Sequence, residues 1–245
     1  DYPKSLEYLF MSLKMQEELG NKVGIARSFS GIGIAYGSQG DLPKALDYHS
    51  KALKIYEELG HKSGIAFCIA CIGGVFKEQK DYAIALDYHL KALKIHEELG
   101  DKYRVAYGLG GIGDLHAYQS EYPKALNYYF KALKIVEELG DKLGIAATLM
   151  NIGLVYNKQK DYPKALDYYF KSLKMAEQRG NNYGIAVTLS NIGLVYDHQK
   201  DYSKALGYYF KALKMAEQLG NKYEIAYNFG TIGGVYAKTG KFAEA

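Results

Sequence analysis

The amino-acid sequence predicts an all-α solenoid, and three observations lead to this fold class. The 245-residue chain aligns with itself at an offset of 40 residues without gaps, and 26 of 40 positions are identical between 121–160 and 161–200. Apolar residues within each copy recur at helical spacing, and no segment alternates as a strand would. A hydrophobic fraction of 48% is sufficient for a packed core. We therefore expect one array of repeats rather than two unrelated domains.

The first helix of each copy is predicted from a stripe of large apolar residues. In the first complete copy the helix is expected over about 23–38, where four such residues lie on one helical face: Ile25, Phe29, Ile32 and Tyr36. Ala26 and Gly33 form a second stripe of small residues, along which a neighbouring backbone can approach closely. Alanine and isoleucine fill the positions equivalent to Ala26 and Ile32 in all six copies.

The second helix is expected over about 43–59. Pro43 suits its first turn, where a missing N–H has no partner to lose, and Gly60 suits its C-terminal end. Its apolar face is wide and comprises Ala45, Leu46, His49, Ala52, Leu53, Tyr56 and Leu59. A face of this width is expected to pack against two neighbouring helices.

The copies do not begin at the first residue of the chain. Residues 1–20 correspond to a second helix without its partner, and 221–245 to an incomplete copy; complete 40-residue copies start at 21, 61, 101, 141 and 181. Leu9, Phe10 and Met11 lack the polar surface that a terminal repeat normally presents. We expect residues 1–245 to form one solenoid that is a fragment of a longer protein.

The repeated pattern resembles the tetratricopeptide repeat. The matching positions in the fourth complete copy are Leu149, Ile152, Gly153, Tyr156, Asp161, Tyr162, Ala165 and Tyr169, with Ser172 at a position that usually carries alanine. The usual unit has about 34 residues, and the 40-residue unit is similar to the repeats of Leu-Gly-Asn polarity adaptors and, more loosely, of kinesin light chains. The resemblance implies helix-turn-helix units in a right-handed superhelix, with the first helices on its concave face.

On that resemblance, ligand-binding residues should lie on the first helices, at the positions equivalent to 27, 30, 31, 34, 37 and 38. Seven of these positions are charged and sum to +1: Arg27, Lys77, Lys158 and Lys238 against Glu78, Asp114 and Asp197. A nearly neutral, partly aromatic groove suits a peptide better than phosphates. The predicted peptide- or partner-binding residues are Arg27, Phe67, Tyr107, Asp114, Tyr118, Met150, Asn151, Asn157, Lys158, Asn191, Asp197 and Tyr227.

Asn151 and Asn191 are the most specific polar candidates. Each precedes an Ile-Gly pair in consecutive copies, and an amide there can donate to and accept from the backbone of an extended peptide. The alternative is that two recently duplicated copies share a solvated asparagine. Leu154 and Leu194 follow the Gly where the Leu-Gly-Asn class has Asn, so ligand preferences are not transferable.

The third complete copy departs most from the others. Gly108, Gly110 and Gly111 add to Gly113 in its first helix, at a cost of about 0.5–1 kcal/mol for each extra glycine. No strand precedes them, which disfavours a phosphate loop; a bend, or the close approach of a bound backbone, fits better. His116 occupies a Tyr/Phe position and is expected to be packed in the core.

No metal, cofactor or catalytic residues are predicted. Cys68 and Cys71 lack a second ligand pair for zinc, and His49 and His89 occupy positions held elsewhere by tyrosine. The chain is therefore expected to be a non-catalytic scaffold that binds a protein or peptide. The alternatives are a regulatory region of a larger signalling enzyme and a module that self-associates end to end. The net charge of +4 disfavours nucleic acid, no apolar run could span a membrane, and the two cysteines favour the reducing cytoplasm.

Overall fold

A computed structural model describes residues 2–240, and this range contains twelve α-helices and no strand. The expected helices at 23–38 and 43–59 extend over Lys22–Gln39 and Leu42–Glu58, so the all-α helix-pair prediction is confirmed. The predicted start of a further helix at 241–245 lies outside the described residues. The bounds are α1 Tyr2–Glu18, α2 Lys22–Gln39, α3 Leu42–Glu58, α4 Lys62–Glu78, α5 Tyr82–Glu98, α6 Lys102–Tyr118, α7 Tyr122–Glu138, α8 Lys142–Lys158, α9 Tyr162–Arg179, α10 Asn182–His198, α11 Tyr202–Gln218 and α12 Lys222–Thr239.

The chain divides into two compact units, Asp1–Glu121 with α1–α6 and Tyr122–Ala245 with α7–α12. In each unit every helix packs against the next one along the chain. The even-numbered helices, which are the first helices of the repeats, also contact each other: α2 with α4, α8 with α10, and α10 with α12. The even-numbered helices therefore present a shared face within each unit. That the six copies form one continuous solenoid over 1–245 stays a prediction.

Most helices begin at a side chain that accepts a hydrogen bond from the third helical residue. The Asp41 carboxylate accepts from the Lys44 N–H at 3.2 Å, and Asp161 accepts from Lys164 at 3.3 Å. His61 does the same with Nδ1, at 3.0 Å from the Gly64 nitrogen. The other capping side chains are Asn21, Asp81, Asp101, Asp141, Asn181, Asp201 and Asn221. These caps satisfy N–H groups that the helix itself leaves without a partner.

The helix ends close on residues in the left-handed conformation. Gly60 has φ 62°, as the sequence predicts, and the equivalent glycines of the other copies also have positive φ. The first helices end in the same way, on Gly40 and Gly240 but also on four residues that are not glycine: Lys80, Ser120, Lys160 and Lys200, with φ between 60° and 64°. The sequence did not reveal these four turns because the glycine signal is missing there.

The closest approach between the helices of a repeat is a ring lying on a glycine. A Cβ at Gly153 would lie 2.7 Å from the ring of Tyr169, whose side chain is fully buried. Gly193 meets Tyr209 in the same way at 2.8 Å. The small-residue stripe is thus where a neighbour packs closely, but at these glycines the neighbour is a side-chain ring and not the backbone that was expected.

Candidate binding face on the first helices

The candidate site is the surface of the even-numbered helices at the six recurring positions named above, here called the first-helix face. The structure exposes five of the predicted residues: Arg27, Tyr107, Tyr118, Lys158 and Tyr227. Six are partly exposed: Phe67, Asp114, Met150, Asn151, Asn191 and Asp197. Asn157 is buried. Because the first helices contact each other within a unit, side chains from consecutive repeats line common clefts.

The first cleft in the N-terminal unit has a volume of about 360 Å³ and lies between α2 and α4. Arg27 and Phe67 line it, as the sequence predicts, and Arg104 joins them from the start of α6. Tyr56 lines the same cleft, and Arg104 Nε lies 3.3 Å from the partly exposed Asp101 carboxylate. No carboxylate lines this cleft among the described residues.

Arg104 was not among the predicted site residues. It occupies a position that is glycine in four other copies: Gly24, Gly64, Gly144 and Gly184. The replacement of this glycine by arginine could have drawn attention to Arg104. However, the position of Arg104 was not among the six that were expected to face the ligand. Arg104 therefore brings a second guanidinium to the cleft, where it pairs with Asp101.

A second cleft of about 210 Å³ adjoins Arg104 and is formed by α4, α5 and α6. Tyr107, whose side chain is 47% exposed, stands at its edge and shares a hydrogen bond of 3.1 Å with the Tyr103 hydroxyl. Gly108 and Gly111 line its wall together with His96. The helix α6 runs without interruption through all its glycines, so a phosphate loop is ruled out at this place.

Tyr118 and Asp114 lie further along α6. The Tyr118 ring is 59% exposed and stacks on Tyr82 with ring centres 5.7 Å apart. One side of this ring is therefore held by the protein, and the remainder is open to contact by a ligand. His116, between them, is buried as predicted and lies 2.6 Å from the Glu121 carboxylate.

In the C-terminal unit, Asn151 on α8 and Asn191 on α10 occupy equivalent positions of helices that contact each other. Both side chains are partly exposed. The side chain of Asn191 makes no hydrogen bond to another residue within 2–240, whereas Asn151 already interacts with a neighbour. The Asn191 amide is therefore the one that is more readily available to a ligand backbone.

The placement of Asn157 on the ligand-binding surface requires a correction. Its side chain is only 4% exposed, and its amide oxygen lies 3.1 Å from Nδ1 of His198 in the next repeat. The exposure pattern of a single helix did not show that the neighbouring repeat covers this position. Asn157 thus joins two repeats and does not face a ligand.

Asp197 occupies the position equivalent to Asn157 in the next repeat. Its carboxylate is 10% exposed and binds the Lys238 ammonium at 2.6 and 2.8 Å. The two residues cancel each other's charge, so neither adds to the field of the face. The pairs Asn157–His198 and Asp197–Lys238 each join two consecutive repeats, and in each pair the two residues are 41 positions apart in the chain.

A comparison with known families matches the sequence to the family described as tetratricopeptide repeat, over 1–58, 66–138, 144–218 and 184–245. The chain belongs to the tetratricopeptide repeat family. No significant match is found among curated protein sequences.

Solved structures with a similar fold include other tetratricopeptide repeat proteins. BtubC (BKLC) from P. vanneervenii has a TM-score of 0.76 at 18% identity, covering 90% of this chain and 93% of that one. A signal transduction ATPase with numerous domains from Pyrococcus horikoshii, which has a tetratricopeptide repeat sensor, has a TM-score of 0.76 at 22% identity, covering 93% of this chain and 35% of that one. The Rap conjugation gene regulator of plasmid pLS20, solved with the Phr* peptide, has a TM-score of 0.74 at 16% identity, covering 89% and 60%. At these identities the likeness concerns the fold.

In this tetratricopeptide repeat chain, burial shifts the pKa values of both cysteine thiols. Desolvation raises the pKa of the Cys71 thiol to about 12, and it also raises the pKa of Cys68, so both thiols stay protonated and unreactive. Within 2–240, no three His, Cys, Asp or Glu side chains are grouped as a metal site would require. None of the helices in this range is both long and apolar enough to cross a membrane.

Proposed function

We propose that this chain is a non-catalytic interaction module that binds an extended peptide, or such a segment of a partner protein, on its first-helix face. The observation that carries the proposal is the character of that face. It combines exposed tyrosines, clefts shared between repeats and the partly exposed amides of Asn151 and Asn191. The Rap regulator complex with the Phr* peptide supports it, because a protein of the same fold is there solved with a peptide.

The binding mechanism combines two kinds of contact. Asn151 and Asn191 hold the peptide backbone through their amides, which match the N–H and C=O groups of any extended chain. Tyr107, Phe67 and Met150 contact ligand side chains. Because each repeat contributes a small amount, a single peptide should bind in the micromolar range, equivalent to about −8 kcal/mol.

The experiment is a selection of peptides from a displayed random library on the purified chain, followed by fluorescence anisotropy with a selected peptide. In the Asn151→Ala/Asn191→Ala variant we expect a Kd about 10- to 30-fold higher, since two hydrogen bonds of about 1 kcal/mol each are lost. Asn127→Ala is the matched control. Asn127 is an exposed asparagine on α7, a second helix, and its loss should leave the Kd unchanged.

Two outcomes would refute the proposal. In one, the control and the double variant bind the selected peptide as tightly as the unchanged chain does. In the other, the library yields no peptide whose binding responds to any substitution on the first-helix face. Far-ultraviolet circular dichroism of each variant establishes that the helices are retained.

A second candidate is a sensory region within a longer signalling protein. The likeness to the Pyrococcus horikoshii ATPase favours it, because that protein carries its tetratricopeptide repeat as a sensor and this chain covers 35% of it. The sequence of the full open reading frame tests this candidate. An adjoining ATPase or other enzyme domain is expected, and further repeats on both sides would contradict it.

A further inference from the structure

The additional glycines of α6 are not required by the packing of the protein. A Cβ would lie 3.4 Å from Leu93 at Gly108 and 3.9 Å from the His89 ring at Gly111, and it would have no neighbour within 4 Å at Gly110. These are ordinary contacts or open space, in contrast to the 2.7 Å found at Gly153. Each glycine nevertheless makes the helix less stable than alanine would at the same position. Their presence therefore needs an explanation other than the fold.

Gly108 and Gly111 line the second cleft, and their missing side chains leave it open. Its volume of about 210 Å³ exceeds the roughly 150 Å³ of a protein cavity that accommodates benzene. Ala70, Ala92 and the buried Leu93 complete a largely apolar wall. The cleft thus has the size and the lining that an aromatic side chain requires.

One polar group in this wall lacks a partner. His96 is 5% exposed, and no group within 2–240 forms a hydrogen bond with its buried Nδ1. Burial, together with the nearby Arg104, lowers the pKa of His96, so the ring is neutral and Nδ1 either donates or accepts. His96 also lines the cleft, and a neutral imidazole can bond a ligand hydroxyl through whichever ring nitrogen the hydroxyl reaches, because a hydroxyl can both donate and accept.

The edge of the cleft is suited to hold a ring in place. Arg104 and Tyr107 both line it and both side chains are substantially exposed, at 45% and 47%. A guanidinium and a phenol can each pack against an aromatic ring, the former by cation–π attraction.

We propose that this cleft is an anchor pocket for a tyrosine side chain of the bound peptide, with its ring against Gly108 and Gly111 and its hydroxyl bonded to His96. This inference rests on the proposed function and specifies what one part of the face recognises. It explains why the third complete repeat differs from the others: the extra glycines make α6 less stable, but Gly108 and Gly111 leave room in the cleft for a ligand side chain.

The first test fills the pocket without harming the fold. The Gly108→Ala/Gly111→Ala variant should unfold at a higher temperature, because alanine favours the helix, and should bind a tyrosine-containing selected peptide at least 10-fold more weakly. Gly110→Ala is the matched control, since Gly110 lies on the same helix but does not line the cleft. It should raise the unfolding temperature while leaving the Kd unchanged. A double variant that binds as tightly as the unchanged chain overturns the inference.

The second test examines the hydroxyl. The unchanged chain should bind the selected peptide about 5- to 10-fold more tightly than its Tyr→Phe analogue, and the Tyr→Ala analogue should bind more weakly still. In His96→Val the Tyr and Phe peptides should bind equally; valine is tolerated, since Val136 holds the equivalent position. An unchanged preference in this variant overturns the role of His96.

The two proposals fail in different ways. If selected peptides respond to Asn151→Ala/Asn191→Ala but contain no tyrosine, or ignore the filled pocket, only the anchor pocket is wrong. If no first-helix substitution affects binding, the proposed function is wrong as well.

Discussion

At the scale of the residue, four of the repeats pack a ring of the second helix onto a glycine of the first: Gly33, Gly73, Gly153 and Gly193. In the C-terminal unit the ring is a tyrosine, as in the pairs Tyr169–Gly153 and Tyr209–Gly193. In the first complete repeat it is His49, which is 3% exposed and would lie 2.8 Å from a Cβ at Gly33. Its buried Nδ1 has no hydrogen-bond partner within 2–240. The histidine fills the space of the tyrosine ring but introduces a group that titrates.

The free energy of unfolding should therefore depend on pH through His49. Burial lowers its pKa from 6.5 to about 4. The unfolded chain takes up the proton first, so this stability is present above pH 6.5 and is lost as the pH falls towards 4. Between pH 7 and pH 4.5 the loss through His49 amounts to about 2 kcal/mol. Urea denaturation at both pH values measures it.

The comparison variant is His49→Tyr, because tyrosine holds the equivalent position in three other copies: Tyr129, Tyr169 and Tyr209. This variant should lose about 2 kcal/mol less on acidification than the unchanged chain. Equal losses in the two proteins would show that His49 is not buried in its neutral form.

At the scale of the element, a residue with positive φ and two backbone hydrogen bonds close the end of each first helix that is described below. Asp161 N–H donates to the Tyr156 carbonyl and Lys160 N–H to that of Asn157, both at 2.9 Å, and this closes α8 with Lys160 at φ 63°. Gly40 closes α2 with the same two bonds and φ 82°. The geometry is one that glycine adopts without strain and lysine does not.

Lys160→Gly should therefore stabilise the protein by about 0.5–1 kcal/mol, since the strain in the left-handed residue outweighs the entropy that glycine adds to the unfolded chain. Gly40→Lys, at the equivalent end, is the reverse experiment and should lower stability by a similar amount. The midpoint of thermal unfolding measures both. The same sign of change in the two variants would contradict this account of the helix ends.

The helix pairs could be predicted from the sequence because repetition displays the same pattern six times. The six glycines of the second-helix ends were visible for that reason, whereas the strained turns at Lys80 and Lys160 carry no residue type that signals them. The residues of the candidate first-helix face were predictable only in part. Arg27, Phe67 and Tyr107 lie on this face as expected. Arg104 also lines its clefts, although its position on the helix is not among the six that were expected to face a ligand.

Contacts between repeats were the main source of error. Whether Asn157 is open or buried depends on His198, 41 residues later, and no pattern within one copy contains that information. Likewise, Asp197 counts as a free charge in the sequence but is neutralised by Lys238.

At the scale of the whole molecule, the two units carry different side chains on the same kind of scaffold. The N-terminal unit departs from the repeat pattern at Arg27, Arg104 and the glycines of α6, and these departures line its clefts. The C-terminal unit stays closer to the pattern, and its face carries amides and paired charges. The two units therefore offer different side chains on their first helices.

The most direct test of the central claim is to map where a selected peptide touches the chain. The peptide is made with a photoreactive benzophenone residue, cross-linked to the protein by light, and located by mass spectrometry of the digested product. The account predicts cross-links on the even-numbered helices, near Phe67, Tyr107, Asn151 or Asn191. Cross-links confined to the odd-numbered helices would contradict it.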